Sequence, residues 1–234
     1  VEYIFKHKLS FLKKYARLLA IVFLLFVSVL CFEEVVDDVF YDPLEGDLQS
    51  KAFDKGVINY LSQFRSPALT QVMTDFTALG SFSIMTIILL TAAGVMWRNR
   101  KHLNLIYLCL VITSSGLLIH FLKLYFQRPR PEQLEQLTYI SSLSFPSGHS
   151  FAATATYISL AYCTGLLTKT FVSELLIYLL AFILIALVGI SRVYLGVHYP
   201  TDVIAGISCG AIWVLSVSFI FELVRISKLK HLEE

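Results

Sequence analysis

Six stretches of this chain are apolar over the length a helix needs to cross a lipid bilayer, centred on residues 16–32, 82–97, 103–122, 149–167, 174–190 and 203–221. A hydrocarbon core about 30 Å thick takes about 20 residues of helix. Inside it every backbone N–H and C=O must be satisfied without water, which leaves helices or a closed barrel, and runs of this length select helices. The predicted fold class is all-α: an integral membrane bundle of six transmembrane helices forming one domain over residues 1–234. With 56% of residues hydrophobic and only 15% charged, too little polar surface exists to wet a water-soluble domain. A net charge of +2, with no basic run interleaved with aromatics, gives no footprint for nucleic acid. Cys31, Cys109, Cys163 and Cys209 each lie in an apolar stretch and read as packing residues, since no CxxC pair or disulfide framework can be drawn from them.

Short-loop lysines and arginines set orientation. The basic start (Lys6, Lys8, Lys13, Lys14, Arg17), the Arg98-Asn-Arg-Lys101 link, Lys169 and the Arg225, Lys228, Lys230 end all fall on one side if six spans alternate. Both termini are therefore expected in the cytoplasm, in a bacterial inner (plasma) membrane. The basic start also fits a signal peptide, but Ser28 to Phe32 offers no small-residue cleavage site, so the first span is expected to stay as an anchor. The opposite, extracytoplasmic side receives a 33–80 loop rich in acids (Glu33, Glu34, Asp37, Asp38, Asp42, Glu45, Asp47). Val57 to Leu61 and Leu69 to Phe76 have helix-like apolar spacing, with Pro67 as a helix start, and predict a helical segment lying along the membrane surface.

Ionisable residues gather at three span ends, all on that outer side. Lys123 to Pro131 carries Lys123, Arg128 and Arg130, against the usual charge bias of an outer face; snorkelling to headgroups is the plain alternative. Phe145-Pro-Ser-Gly-His-Ser150 opens the fourth span, with Ser147 placed as an N-cap. Free N–H groups there, and Gly148 with no Cβ, make a cradle for an anion. Ser191-Arg192 through His198 to Asp202 joins spans five and six. Asp202 follows His198 by four residues and can accept the proton of one imidazole nitrogen, leaving the other as a nucleophile; the plain alternative is a surface ion pair.

Two histidines, an aspartate and the cations Lys123, Arg130 and Arg192 at one membrane depth match phosphoryl transfer. Charge spread over phosphate oxygens calls for cationic clamps, and in-line displacement calls for a nucleophile and a proton donor. His149 and His198 fit those two roles, although the residues alone do not say which takes which. A divalent metal on His149, His198 and Asp202 is the rival reading. Three fixed cations repel such a metal and attract phosphate, so no metal or other cofactor is expected.

These segments resemble the signature of the type 2 phosphatidic acid phosphatase superfamily: Lys, six residues, Arg-Pro; Pro-Ser-Gly-His; Ser-Arg, five residues, His, three residues, Asp. Here the positions are Lys123 with Arg130-Pro131, Pro146 to His149, and Ser191-Arg192 with His198 and Asp202. The spacing selects Arg130 over Arg128, which becomes a candidate for a supporting role. The resemblance implies that His198 is the nucleophile oriented by Asp202. It gives His149 the proton transfers, and assigns phosphate binding to Lys123, Arg130, Ser147, Gly148 and Arg192. It implies a metal-free phosphatase whose partners are a membrane lipid phosphate or diphosphate and the bilayer. The alternatives are a lipid phosphotransferase using the same site and, remotely, a six-span transporter, whose ionisable residues should sit nearer the bilayer midplane. Thr77-Ala-Leu-Gly-Ser81 is a weaker likeness to the same family. Gly206/Gly210 and Ser114-Ser115-Gly116 read as close-approach positions between helices, and His120 as a packing residue. Glu174 and Glu222 are assigned no chemistry.

Overall fold

The computed structural model describes residues 2–41, 46–131, 136–138, 140–168 and 170–230, with side chains of 15–41, 49–131, 136–138, 140–168 and 170–227. Asp42, Glu45 and Lys169, used above for orientation, lie outside the described residues. So do the side chains of Lys6, Lys8, Lys13, Lys14, Asp47, Lys228 and Lys230.

Each of the six apolar stretches is a helix. They are α1 (Glu2–Val36), which runs on into a π-helical turn (Asp37–Tyr41), and, after α2 (Gly46–Ser62) and α3 (Pro67–Ala78), α4 (Phe82–Arg98), α5 (His102–Phe126), α6 (Gly148–Gly165), α7 (Phe171–Tyr194) and α8 (Pro200–Lys230). Among the described residues there is no strand. Among the described residues four helical segments are long and apolar enough to cross a membrane: Tyr15–Tyr41, His102–Phe126, Phe171–Tyr194 and Pro200–Ser227. A fifth results if α3 and α4, bent by 46°, count together as one broken span. The protein is an all-helical integral membrane protein.

The departure from six apolar spans has a physical cause. α6 packs against α5, α7 and α8 and touches α4, and twelve of its eighteen residues are buried, including Ser150, Thr154, Thr156 and Ser159. A helix enclosed by protein need not be apolar on every side, because hydroxyls such as those of Ser150, Thr154 and Ser159 bond inside the bundle, although Thr156 Oγ1 has no partner among the described residues. Thr154 Oγ1 donates to Ser150 O at 2.8 Å, and Ser159 Oγ to Thr156 O at 2.8 Å. The outer helices turn large apolar side chains outward instead, such as Phe23 and Phe26 of α1, Phe121 of α5 and Phe182 of α7.

Close approach of α6 and α8 depends on small residues. A Cβ on Gly206 would meet Ser147 O at 2.5 Å, and one on Gly210 would meet Phe151 O at 2.8 Å. Only hydrogen fits there, as expected from the GxxxG spacing. Gly116 differs: a Cβ there would meet nothing within 4 Å, so it serves no helix contact. His120 is exposed on α5 rather than packed in the core.

In the first loop, Ser66 caps α3 by accepting from Leu69 N, and Pro67 occupies the first turn, where its missing N–H costs nothing. α3 packs against the end of α7. There Arg65 donates to Tyr194 O through Nε and Nη2, at 3.2 and 3.0 Å, and the Tyr194 hydroxyl accepts from Ser66 N at 3.2 Å. At the opposite end, Arg17 joins Glu174 at 2.9 Å, tying α1 to α7. Glu222 is buried there, accepting from the Tyr162 hydroxyl at 2.7 Å.

Candidate active site

Each cluster reaches the site from the end of a different helix. Lys123 is in the last turn of α5, which stops at Gln127 with φ 49°. The chain then continues without regular structure through Arg128 and Arg130 and returns through Ser142 to Ser147. Ser147 is the N-cap of α6, accepting from Ser150 N at 3.4 Å and from Ser150 Oγ at 2.9 Å. Arg192 is in the last turn of α7. Gly196, with φ 71°, turns the backbone through a conformation that L side chains avoid, and so brings His198 back against the start of α8. Ser147 N donates to Asp202 O at 2.9 Å, locking the starts of α6 and α8 together.

His198 Nδ1 lies 3.3 Å from Asp202 Oδ2, and His198 Nε2 lies 3.1 Å from Arg130 Nη1. A guanidinium has donors only, so Nε2 must present its lone pair and Nδ1 carries the hydrogen that Asp202 accepts. Burial drives the His198 pKa down to about 3; Arg130 and Arg192 act in the same direction, and Asp202 opposes. The imidazole is therefore neutral near pH 7, with its free nitrogen on the cationic side.

Asp202 is fully buried, and both its oxygens are occupied. Oδ1 accepts from Arg128 Nη1 at 2.6 Å; Oδ2 also accepts from Tyr199 N at 2.9 Å and from the Ser144 hydroxyl. Arg130 donates to Ser142 O at 2.6 Å, to the Ser142 hydroxyl at 3.0 Å and to Val197 O. Burial lowers its pKa and Asp202 opposes. Lys123 Nζ donates to Leu143 O and, at 3.2 Å, to Ser144 O. Arg192 is 3% exposed; Nη1 donates to Thr77 Oγ1 at 2.7 Å, while its buried Nε has no protein partner. An unmet donor on a buried cation is costly, and an anion in the site would remove that cost. His149 is half-buried and within electrostatic reach of Arg192, His198, Arg130 and Lys123. A Cβ on Gly148 would rest in ordinary contact with Ile119 Cγ1 at 3.7 Å and Lys123 Cε at 3.8 Å, so there the backbone lies beside the Lys123 side chain.

The structure thus brings Lys123, Arg130, Ser147, Gly148, His149, Arg192, His198 and Asp202 to one end of the bundle. Among the described residues no group of three or more His, Cys, Asp and Glu has metal-holding geometry. Sequence reasoning missed several neighbours. Asp54 of α2, only 2% exposed, accepts from Thr201 N at 3.0 Å, Thr201 Oγ1 at 2.8 Å and Arg128 Nη2 at 2.9 Å. A signal for it existed: Asp54, Ile58 and Leu61 share one face of α2, and a carboxylate on an apolar stripe needs a partner. Gly80, part of the weaker family likeness, packs on His149, where a Cβ would come within 3.1 Å of its carbonyl oxygen. With Thr77 on Arg192, that stretch forms a wall of the site.

Residues 104–225 match the model of the PAP2 superfamily. Over 161 residues the chain is 38% identical to phosphatidylglycerophosphatase B of Bacillus subtilis (strain 168), covering 67% of this chain and 77% of that one. Over 125 residues it is 35% identical to the lipid A 1-phosphatase of Rhizobium johnstonii, covering 49% and 47% of the two chains. The crystal structure of a transmembrane PAP2-type phosphatidylglycerolphosphate phosphatase from Bacillus subtilis superposes with a TM-score of 0.75 at 32% identity, over 86% of this chain and 96% of that one. Fold, site and likeness define a membrane-embedded phosphatase. The chain belongs to the PAP2 superfamily.

Proposed function

We propose that this enzyme hydrolyses a membrane lipid phosphate by in-line attack of His198, at the extracytoplasmic rim of six transmembrane helices. It is a lipid phosphate phosphatase, in keeping with relatives such as phosphatidylglycerophosphatase B and lipid A 1-phosphatase. The observation that carries the mechanism is the chain Arg130, His198, Asp202: one imidazole nitrogen held by a carboxylate, the other turned to a guanidinium.

In this reading the phosphate binds among Lys123, Arg130, Arg192, Ser147 and the Gly148 N–H, and fills the unmet Nε of Arg192. The His198 Nε2 lone pair bonds to phosphorus as the bond to the lipid oxygen breaks. His149 gives that oxygen its proton, then takes one from the water that cleaves the phosphohistidine. Asp202 stabilises the positive charge that develops on His198. Catalysis is electrostatic and positional, with no metal in the scheme.

Six crossings by α1, α4, α5, α6, α7 and α8 agree with the charge distribution. Arg17, Arg98, Arg100, Lys101 and Arg225 belong to helix ends and links opposite the site, as the positive-inside rule requires if the site faces outward and the termini are cytoplasmic. A lipid headgroup then meets the cations at its own depth. Phosphatidylglycerophosphate is the first substrate to try, beside phosphatidate, a phosphorylated lipid A and a polyprenyl diphosphate.

The test is rapid quenching with a 32P-labelled lipid phosphate in detergent. An acid-labile, base-stable phosphoenzyme should form in the wild type and vanish in His198→Ala. Turnover in His198→Ala, or complete loss with EDTA restored by zinc, would overturn the scheme.

A further inference from the structure

The motif accounts for Asp202, but not for what holds Asp202. Its carboxylate is buried beside a neutral imidazole, an arrangement that leaves a full negative charge uncompensated unless a cation supplies the balance. Arg130 acts on the carboxylate only at a distance, since its guanidinium bonds His198 Nε2 and carbonyls of the 142–143 and 197 backbone rather than Asp202. Arg128 supplies the balance directly: Nη1 bonds Asp202 Oδ1 at 2.6 Å and Thr201 Oγ1 at 2.8 Å, and Nη2 bonds Asp54 Oδ2 at 2.9 Å. Its guanidinium also lies 4.3 Å from the centre of the Tyr199 ring, the residue after His198. Burial alone would lower the Arg128 pKa, yet the Asp202 and Asp54 carboxylates hold it above the ordinary value.

We infer that Arg128 and Asp54 are positioning residues for the reaction: together they fix the Asp202 carboxylate so that only Oδ2 faces His198, and so set the tautomer of the nucleophile. The inference rests on the His198 reading above.

The geometry gives the two residues distinct parts. Arg128 occupies Oδ1, so the carboxylate cannot rotate to offer that oxygen to the imidazole. Asp54 holds the other arm of the guanidinium and also accepts Thr201 N, an otherwise unpaired N–H in the first turn of α8. Asp54 thereby fixes Arg128 and the start of the helix carrying Asp202 from a single carboxylate. α2, in the extracytoplasmic loop, is then a structural part of the active site. Both arms of the Arg128 guanidinium are taken by Thr201, Asp202 and Asp54, so the pair is assigned no role as a phosphate clamp.

A positioning role differs from mere fold support in what it moves. Without Arg128, His198 loses a nearby positive charge and faces an unbalanced carboxylate, and both changes raise the affinity of the imidazole for a proton. The other groups acting on it, Arg130, Arg192, Asp202 and the neighbouring His149, remain. The acid limb of kcat/KM should therefore move to higher pH.

The experiment compares wild type, Arg128→Gln, Arg128→Lys, Asp54→Asn and the Asp54→Asn/Arg128→Gln double variant in detergent, with His198→Ala as reference. Melting temperature and kcat and KM against pH are read with phosphatidylglycerophosphate or whichever lipid phosphate the panel selects. Expected are a kcat loss of about ten- to a hundredfold in Arg128→Gln, KM within about threefold, an acid limb raised by about one unit and partial recovery in Arg128→Lys. The double variant should be no worse than Arg128→Gln alone, because the two residues act in series. Unmoved limbs with multiplicative losses, or losses that track melting temperature alone, would overturn the inference while the nucleophile stands. Turnover in His198→Ala would instead overturn the nucleophile, and the positioning role with it.

Discussion

Arg130 donates to His198 Nε2 at 3.1 Å, so the resting site covers its nucleophilic nitrogen with one of its own phosphate-binding groups. His198 is 1% exposed, and phosphorus can approach Nε2 only as the guanidinium turns from the imidazole to the phosphate oxygens. The arrangement has a chemical merit: a neutral imidazole capped by a cation resists protonation and resists water until an anion replaces that contact. It also makes Arg130 a participant in both states.

Replacing Arg130 by Ala should therefore do two things at once. The clamp is lost, lowering kcat/KM by about two to three orders of magnitude, the usual scale for a transition-state oxyanion donor. His198 also becomes easier to protonate, so the residual activity should fall off at higher pH than in the wild type. Steady-state rates with a lipid phosphate between pH 5 and 8 check both.

The His198 pKa predicts a stability effect with a definite sign. The folded imidazole titrates at about 3, whereas an unfolded one titrates at about 6.5. Between those values the unfolded chain binds the extra proton, so this stability is present above pH 6.5 and is lost progressively as pH falls toward 3. From pH 7 to pH 5 the loss is about 2 kcal/mol. His198→Gln removes this titration, and its melting temperature in detergent should fall less over that interval than the wild type's.

Two glycines one helix apart should separate packing from chemistry. Gly206→Ala puts a methyl 2.5 Å from Ser147 O; α6 and α8 must move apart, at a cost of about 1–3 kcal/mol, and activity falls with stability. Gly148→Ala meets nothing closer than 3.7 Å, so melting should hardly change while kcat/KM drops as the methyl crowds the phosphate cradle. Melting curves beside rate measurements tell the two apart.

Thr77→Val leaves Arg192 Nη1 without its 2.7 Å partner and adds to the unmet Nε. Orientation of the clamp suffers more than its charge. The expected outcome is a higher KM with kcat lowered less, and weaker inhibition by inorganic phosphate.

At the far end, Glu222→Ala leaves the buried Tyr162 hydroxyl without its acceptor, at about 1–3 kcal/mol. Turnover per folded molecule should be unchanged, because Glu222 lies at the opposite end of the bundle from His198. Circular dichroism melting with an activity assay on the same sample checks the pair of claims.

The sequence by itself determined where the helices run, because a bilayer demands long self-bonded apolar segments and those are countable. It also determined the motif residues, since phosphate chemistry calls for cations, imidazoles and a carboxylate that an apolar chain does not otherwise keep. It did not reveal α6 as the enclosed helix: a central position removes the need for an apolar surface, and Ser150, Thr154 and Ser159 weaken the very signal that counting relies on. Only the tertiary structure decided that Asp54, far away along the chain in a loop helix, bonds Arg128 and Thr201, that Arg130 covers His198, and that Thr77 holds Arg192. Those pairings depend on how helix ends meet in space, and hydrogen bonds reaching across 74, 68 and 115 residues leave no period or spacing for a linear reading to follow.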